Sequence, residues 1–272
     1  MENAVRKQLI QRSFNAISQG YDLPALRFFS DGAVCLAMDL EIKGDEQVLD
    51  LATGTGAVAV EIASRLKTGG VLGVDFSKGM LRRAEEKARD LGIKNVNFQQ
   101  QDIDQLNLPE QAFDVISMGF GLFFFPDMSA TLKKAIRHLK PSGRLGLSAF
   151  STDTFSPLVD IFQNDLQTFN ISGLEPSWKR LGEEGTILKV FRDAGISEPT
   201  INHYDCSFFL NSELDWWQVV WNSGLRGLVD QLEASQLSQF KKTHLANIAK
   251  RQQEQGVQLK VNIMTCCLSY QP

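Results

Sequence analysis

The sequence predicts a doubly wound α/β fold, a mostly parallel seven-stranded sheet with helices on both faces, and three observations predict it. Residues 45–150 alternate short runs of Val, Ile, Leu and Phe with longer segments of helical period. The short runs are apolar along their length, the pattern of strands buried on both faces of a parallel sheet. A glycine turn at Gly54 and Gly56 carries the first such run directly into the first helical segment.

Taken in order, Asn3–Ile17 places Val5, Leu9, Ile10, Phe14 and Ile17 near helical spacing, an amphipathic helix expected to pack over the sheet or the mouth of a site. Strands are expected at Gln47–Leu51, Gly70–Asp75, Val96–Gln100, Phe113–Met118 and Arg144–Phe150. Four helices are expected between them, starting near Ala57, Lys78, Gln105 (a short one) and Ser129. After Phe150 the rhythm breaks, and Ser151–Gly185, with Pro157 and Pro176 among helical stretches, reads as an insertion. Thr186–Ala194 returns to a helical pattern closed by Gly195. Thr200–Leu210 and Val257–Ser269 alternate as a closing pair of strands, an edge hairpin. Ser212–Gln255 between them is helical, interrupted at Gly224 and Gly227. The expected organisation is one domain over residues 1–272. It comprises helical cover at 1–40, a ligand-binding core at 41–150, more cover at 151–185 and 211–256, and a closing helix and strands at 186–210 and 257–272.

Composition narrows the function. In 272 residues, 28 Lys+Arg against 32 Asp+Glu give a net charge of -4, without the concentrated positive field that a phosphate backbone demands. Nucleic acid is therefore not an expected partner; a small-molecule substrate is, with a homodimer left open. Cys35, Cys206, Cys266 and Cys267 match neither a disulfide framework nor a metal knuckle, and His138, His203 and His244 lack metal-ligand spacing, so no metal is expected. No apolar run is long enough to span a bilayer, and the N-terminus lacks the apolar segment of a secretion signal, which makes cytoplasmic localisation the expectation.

The chemistry concentrates around Val48-Leu-Asp-Leu-Ala-Thr-Gly-Thr-Gly-Ala-Val-Ala59. Gly54, Gly56 and Ala59 satisfy the dinucleotide fingerprint formally, and the glycines let the backbone approach a ligand closely. Asp75 ends the second strand about twenty residues on, where an acid accepts both hydroxyls of an adenosine ribose. Asp50 ends the first strand, where a pyrophosphate would rest and be repelled. A ligand with positive charge at that end resolves the conflict, and S-adenosylmethionine carries an ammonium and a sulfonium there.

Four segments, Asp50-Leu-Ala-Thr-Gly-Thr-Gly56, Asp75-Phe-Ser, Gln101-Asp-Ile103 and Phe113-Asp-Val-Ile-Ser-Met-Gly119, together resemble the motif series of the class I S-adenosylmethionine-dependent methyltransferases, a Rossmann-like family. Phe14-Asn-Ala-Ile-Ser-Gln-Gly-Tyr-Asp22, Phe120-Gly-Leu122 and Leu139-Lys-Pro-Ser-Gly-Arg144 resemble the ubiquinone/menaquinone-biosynthesis branch. Ala52 stands where the general family loop has its first glycine, a change common in that branch. The resemblance implies that Asp50, Ala52, Thr53, Gly54, Thr55 and Gly56 wrap the methionine moiety and that Asp75 holds the ribose. It implies Phe76, Met80 and Ile103 around the adenine, Asp102 on its exocyclic amine, Ser117 and Gly119 beside the sulfonium, and Tyr21 closing over the cofactor.

The expected function is methyl transfer from S-adenosylmethionine to a small, largely apolar or aromatic acceptor. An NAD(P)-type oxidoreductase using the same loop, and a non-catalytic binding protein on the methyltransferase fold, are the alternatives. In the quinone branch Phe-Gly-Leu is followed by Arg-Asn, associated with the proton removal that ring-carbon methylation requires; here Phe123-Phe124 follow. No catalytic base is therefore evident, and Tyr21 and His203 are the candidates. Trp216, Trp217 and Trp221 are expected mainly in packing, with Trp217 and Trp221 on one helical face.

Overall fold

The structure, a computed structural model, describes residues 2–171 and 175–271. Residues 172–174, within the expected insertion, lie outside it. Helices α1 (Glu2–Ile17) and α2 (Phe28–Asp39) precede strand β1 (Gln47–Leu51). The core then runs α3 (Ala57–Arg65), β2 (Gly70–Asp75), α4 (Lys78–Asp90), β3 (Val96–Gln100), β4 (Phe113–Gly119), α5 (Met128–Ala135) and β5 (Leu139–Phe150). After α6 (Leu158–Gln167) and α7 (Glu184–Asp193) come β6 (Thr200–Asp205) and β7 (Phe208–Leu210). Helices α8 (Glu213–Trp221), α9 (Arg226–Val229) and α10 (Ala234–Ala249) lead to β8 (Val257–Leu259) and β9 (Asn262–Ser269).

Seven strands form one sheet in the order β3-β2-β1-β4-β5-β9-β6. The first five are mutually parallel, and β9 runs antiparallel between β5 and β6. The strand order reverses between β1 and β4, the switch point that opens a crevice at the carboxyl ends of an α/β sheet. Val48, Leu49 and Leu51 of β1 are almost wholly buried, as are Val115 and Ile116 of β4, so the central strands are apolar on both faces as expected.

Two expectations are corrected. The short helix near Gln105 is a single 3-10 turn at Ile103–Gln105, with the Asp102 carboxylate accepting from the Asp104 N–H at 3.0 Å. Pro109 lacks an N–H and biases its predecessor to extended backbone, so the segment does not continue as helix. The two long closing strands are each broken. At Cys206 and Ser207 the Cys206 N–H donates to Val261 O, and the Val261 N–H donates to Ser207 Oγ. Both strands turn there together, and β7 with β8 forms a separate two-stranded sheet. Gly195 ends α7 at φ +74°, the left-handed position a helix-closing glycine takes. Among the described residues no helix is long and apolar enough to cross a membrane.

The helical cover has a core of its own. Trp216, Phe162 and Phe240 are fully buried, and the His244 imidazole joins three helices. Its Nε2 accepts from the Trp216 indole N–H at 2.8 Å, and its Nδ1 donates to Asp165 Oδ2 at 2.7 Å. The Asn247 amide donates to the other Asp165 oxygen at 2.9 Å. Each polar atom buried with these rings is thereby satisfied, as burial requires.

Candidate functional site

The turn after β1 is built from left-handed backbone. Ala52, Gly54 and Gly56 stand at φ +51°, +56° and +77°. For Ala52 this conformation costs roughly 1–2 kcal/mol relative to ordinary backbone, because its Cβ crowds the following carbonyl. Ala52 also meets the turn after β4: a Cβ on Gly121 would lie 2.9 Å from the Ala52 Cβ, so only glycine allows that approach. Phe120, between these two turns, is likewise left-handed at φ +51°. A Cβ on Gly54, by contrast, would meet nothing within 4 Å, since the loop there faces open space.

That space is a cavity of about 660 Å³, within the range of small-molecule sites. Its floor is Ala52, Gly54, Asp75 and Gly119, at the ends of β1, β2 and β4. Asp75 Oδ2 accepts from the Gly54 N–H at 3.0 Å and Oδ1 from the Ser77 N–H at 2.8 Å, which fixes the carboxylate while leaving each oxygen a free lone pair. Burial pushes its pKa above the ordinary carboxylate value, against the pull of those N–H groups. Phe76, Met80 and Ile103 make an apolar slot at one end, with Asp102 at its rim. The other end is aromatic, with Phe14, Tyr21, Phe120, Phe124 and Phe125. Tyr21 stacks on Phe29 at 4.5 Å between ring centroids, and Phe14 meets Phe124 edge-on at 5.2 Å.

Helix α1 forms the outer wall. Asn15 Oδ1 accepts from the Ser77 hydroxyl at 2.9 Å and the Gly79 N–H at 2.7 Å, seating α1 on the start of α4. The Gln11 amide donates to Phe76 O at 2.5 Å, and Lys7 Nζ bridges the carboxylates of Asp102 and Asp104. The aromatic turn is tied from outside: Arg180 Nη1 donates to Phe123 O at 2.6 Å and Phe125 O at 2.9 Å, and Nη2 to Pro126 O at 3.1 Å. Arg6 Nη2 donates to Phe124 O at 3.2 Å.

The sequence-derived site residues divide into two sets. Tyr21, Ala52, Gly54, Asp75, Phe76, Met80, Asp102, Ile103 and Gly119 line the cavity. Asp50, Thr53, Thr55, Gly56 and Ser117 lie behind it. Asp50 was expected to face the ligand; its carboxyl is instead buried under the glycine turn, with Oδ1 accepting from the Ser117 hydroxyl at 2.7 Å. Desolvation pushes its pKa up to about 6, moderated by that hydroxyl. Thr55 donates to Asp22 at 2.7 Å, and Lys87 donates to the same carboxylate, so both brace the turn against the Tyr21–Asp22 segment.

His203 lies outside the site. It is on the outermost strand, more than half exposed, with Nε2 against Glu184 Oε1 at 2.6 Å. Tyr21 does line the cavity, but burial, reinforced by Asp75 and Asp22, raises the phenol pKa far beyond neutrality, so the hydroxyl stays protonated. Sequence reasoning missed Lys7, Gln11, Asn15 and Arg180. The only sequence signal was the i,i+4 spacing of Lys7, Gln11 and Asn15, which puts them on one face of α1.

A glycine turn at the switch point, an acid ending β2 and an apolar slot beside it define an α/β protein that binds an adenosine-type cofactor. A family profile described as a methyltransferase domain matches residues 42–194. Among curated proteins, a demethylmenaquinone methyltransferase of Lactococcus lactis is 31% identical over 170 residues, 61% of this chain and 66% of its own length. The ubiquinone/menaquinone biosynthesis C-methyltransferase UbiE of Proteus mirabilis is 34% identical over 173 residues, 61% of this chain and 68% of its own length. The chain thus spans about two thirds of the relatives it matches. Among solved structures, the YcgJ protein of Bacillus subtilis superposes with a TM-score of 0.59 at 22% identity, over 89% of this chain and 98% of that one. The chain belongs to the methyltransferase domain family, and its cofactor is S-adenosylmethionine.

The cavity fits that cofactor. It has the volume, an open backbone cradle at Gly54, an acid with unused lone pairs at Asp75, and an apolar slot for a ring between Met80 and Ile103.

Proposed function

We propose that this chain transfers a methyl group from S-adenosylmethionine to a small, largely apolar or aromatic molecule. The observation that carries the reading is the cavity itself, which runs from the ribose-type acid Asp75 to an aromatic end made by Phe14, Tyr21, Phe120, Phe124 and Phe125. When bound, the cofactor supplies an activated methyl with a good leaving group; positioning the nucleophile in line is then most of the protein's task. Asp75 accepts from the ribose, Gly54 lets the methionine moiety approach the backbone, and Phe76, Met80 and Ile103 enclose the adenine. Asp102 accepts the exocyclic amine while sharing its charge with Lys7. Gly119 borders the reacting methyl, and Tyr21 with α1 closes the site and excludes water.

Among the described residues the aromatic end supplies no base. At that end the Tyr21 phenol is held protonated by burial and the Arg6 guanidinium has no acceptor atom. The acceptor is therefore one that arrives nucleophilic, an amine, a thiol or a readily ionised hydroxyl, and not a ring carbon that must first lose a proton. This departs from the demethylmenaquinone and ubiquinone/menaquinone methylation for which the relatives are named. A small molecule rather than nucleic acid is the acceptor in this reading, supported by the chain's net charge of -4. A monomeric or dimeric cytoplasmic enzyme acting on a small molecule accords with this.

Calorimetric titration with S-adenosylhomocysteine and with NAD tests the cofactor half of the reading. Tight S-adenosylhomocysteine binding and none of NAD are expected; the reverse order defeats it. Transfer of labelled methyl to a panel of aromatic amines, thiols and phenols tests the acceptor half.

A further inference from the structure

The turn that bounds the aromatic end is held by two arginines that pair with no acid among the described residues. Arg6 and Arg180 donate to four consecutive carbonyls, those of Phe123, Phe124, Phe125 and Pro126. They come from α1 and from the insertion, far apart in sequence, and converge on one four-residue stretch. Among the described residues neither guanidinium has a carboxylate within 4.0 Å. The charged groups nearby are already committed. Lys7 is paired with Asp102 and Asp104, Lys179 with Glu175, and Asp127 Oδ1 accepts the Ala130 N–H at the start of α5.

Carbonyl oxygens satisfy N–H groups but leave the two positive charges uncompensated. Burial lowers the Arg180 pKa, and the Arg6 charge lowers it further, so the two cations act on one another. Each also has N–H groups to spare. Of the five on a guanidinium, Arg180 uses those of Nη1 and one of Nη2, and Arg6 uses one of Nη2. The planar fork of a guanidinium matches the geometry of a carboxylate. Arg6, Phe124, Phe125 and Pro126 all line the cavity, while Arg180 stands behind the turn, so an anion at Arg6 and an apolar body against the rings belong to one ligand.

We propose that the acceptor is an apolar or aromatic acid whose carboxylate is received in the cavity by Arg6, with Arg180 adding its positive charge from behind the turn. This rests on the methyltransferase reading above and adds the charge of the substrate to it.

The test uses the full chain saturated with S-adenosylhomocysteine, titrated calorimetrically with 2-naphthoate and with 2-naphthamide at neutral pH and low salt. The acid is expected to bind about tenfold more tightly than the amide, the worth of a charge-assisted pair over a neutral one. In Arg6→Gln that preference should fall to about twofold or less, with amide binding retained. Arg6→Gln leaves the Arg180 bonds to the turn in place, so loss of preference in it is not a loss of fold. Equal binding of acid and amide, or a preference unchanged in Arg6→Gln, overturns the proposal. Two further results also overturn it: a fall in S-adenosylhomocysteine affinity matching the fall for the acid, which would assign the arginines to the cofactor, and displacement of the acid by equimolar inorganic phosphate, which would make the ligand a phosphate ester. Failure of the unloaded chain to bind S-adenosylhomocysteine sinks the methyltransferase reading and this with it. Binding of S-adenosylhomocysteine without acid preference sinks this proposal alone.

Discussion

The hydroxyl of Ser117 on β4 donates to Asp50 Oδ1 on β1 at 2.7 Å, joining the two central strands directly beneath the glycine turn. The other oxygen of that carboxylate has no partner and the side chain is 1% exposed. Its pKa is pushed from 3.8 up to about 6, so between those values the folded chain binds a proton that the unfolded chain has lost. Stability is highest relative to an uncharged side chain below that window and falls as pH rises through it. Asp50→Asn, which still accepts from Ser117, should therefore raise the thermal midpoint at pH 7–8 and converge with the parent near pH 4. Thermal unfolding across that range checks it, and an equal gain at pH 4 would refute the electrostatic account.

Asp75 is the acid whose geometry is set by two backbone N–H groups while its remaining lone pairs face the cavity. Asp75→Ala should cost about 1.5–3 kcal/mol of S-adenosylhomocysteine affinity, the worth of hydrogen bonds to a charged acceptor. Calorimetry measures it directly, and an unchanged affinity would remove Asp75 from the site.

Ala52 and Gly121 are coupled across the two turns. Gly121→Ala brings its Cβ to 2.9 Å from that of Ala52, so one turn must move and cofactor affinity should fall. Ala52→Gly removes the opposing Cβ and also relieves the φ +51° strain. The double variant should recover part of the loss, a coupling of about 0.5–3 kcal/mol for residues in contact. Additive losses in a double-mutant cycle would show that the contact is not what matters.

His244 gives the helical cover a pH dependence. Its folded pKa is below the ordinary 6.5, mainly through burial and against the pull of Asp165, because a proton on Nε2 would oppose the Trp216 N–H that donates there. The unfolded chain then binds the proton first, so this contribution is complete above about pH 6.5 and is lost as pH falls below it. Trp216→Phe should cost about 1–3 kcal/mol at neutral pH, since it leaves the buried Nε2 unpartnered, and should flatten the acid loss. Denaturant titrations at pH 5 and pH 7.5 distinguish this from simple loss of packing, which would be the same at both.

The absence of a base among the described residues at the aromatic end predicts poor ring-carbon methylation. With labelled S-adenosylmethionine, a demethylated quinol should accept methyl at its ring carbon far more slowly than an aromatic amine, thiol or phenol of similar size accepts it at nitrogen, sulfur or oxygen. Efficient quinol methylation that persists in Tyr21→Phe and His203→Ala would mean that Phe123-Phe124 had been misread as a departure from the quinone branch.

Local chemistry made much of this protein legible in the sequence. Strands buried on both faces announce themselves by composition, a glycine turn by its residues, and an acid at a strand end by its place in the rhythm, because each signal lies within a few residues of its effect. Gly54 and Asp75 were singled out that way and Met80 and Ile103 by the resemblance to the methyltransferase motif series; all four line the cavity. Contacts between distant segments decided the rest. The convergence of Arg6 with Arg180, the bridge from Lys7 to Asp102, and the seating of Asn15 on α4 each join residues tens to well over a hundred positions apart, which no local pattern encodes. The same holds for the burial of Asp50, the removal of His203 to the sheet edge, and the joint break of the closing strands at Ser207 and Val261. A side chain's type sets what it can bond, but its accessibility and partners exist only once the sheet order and the helical cover have brought the chain together.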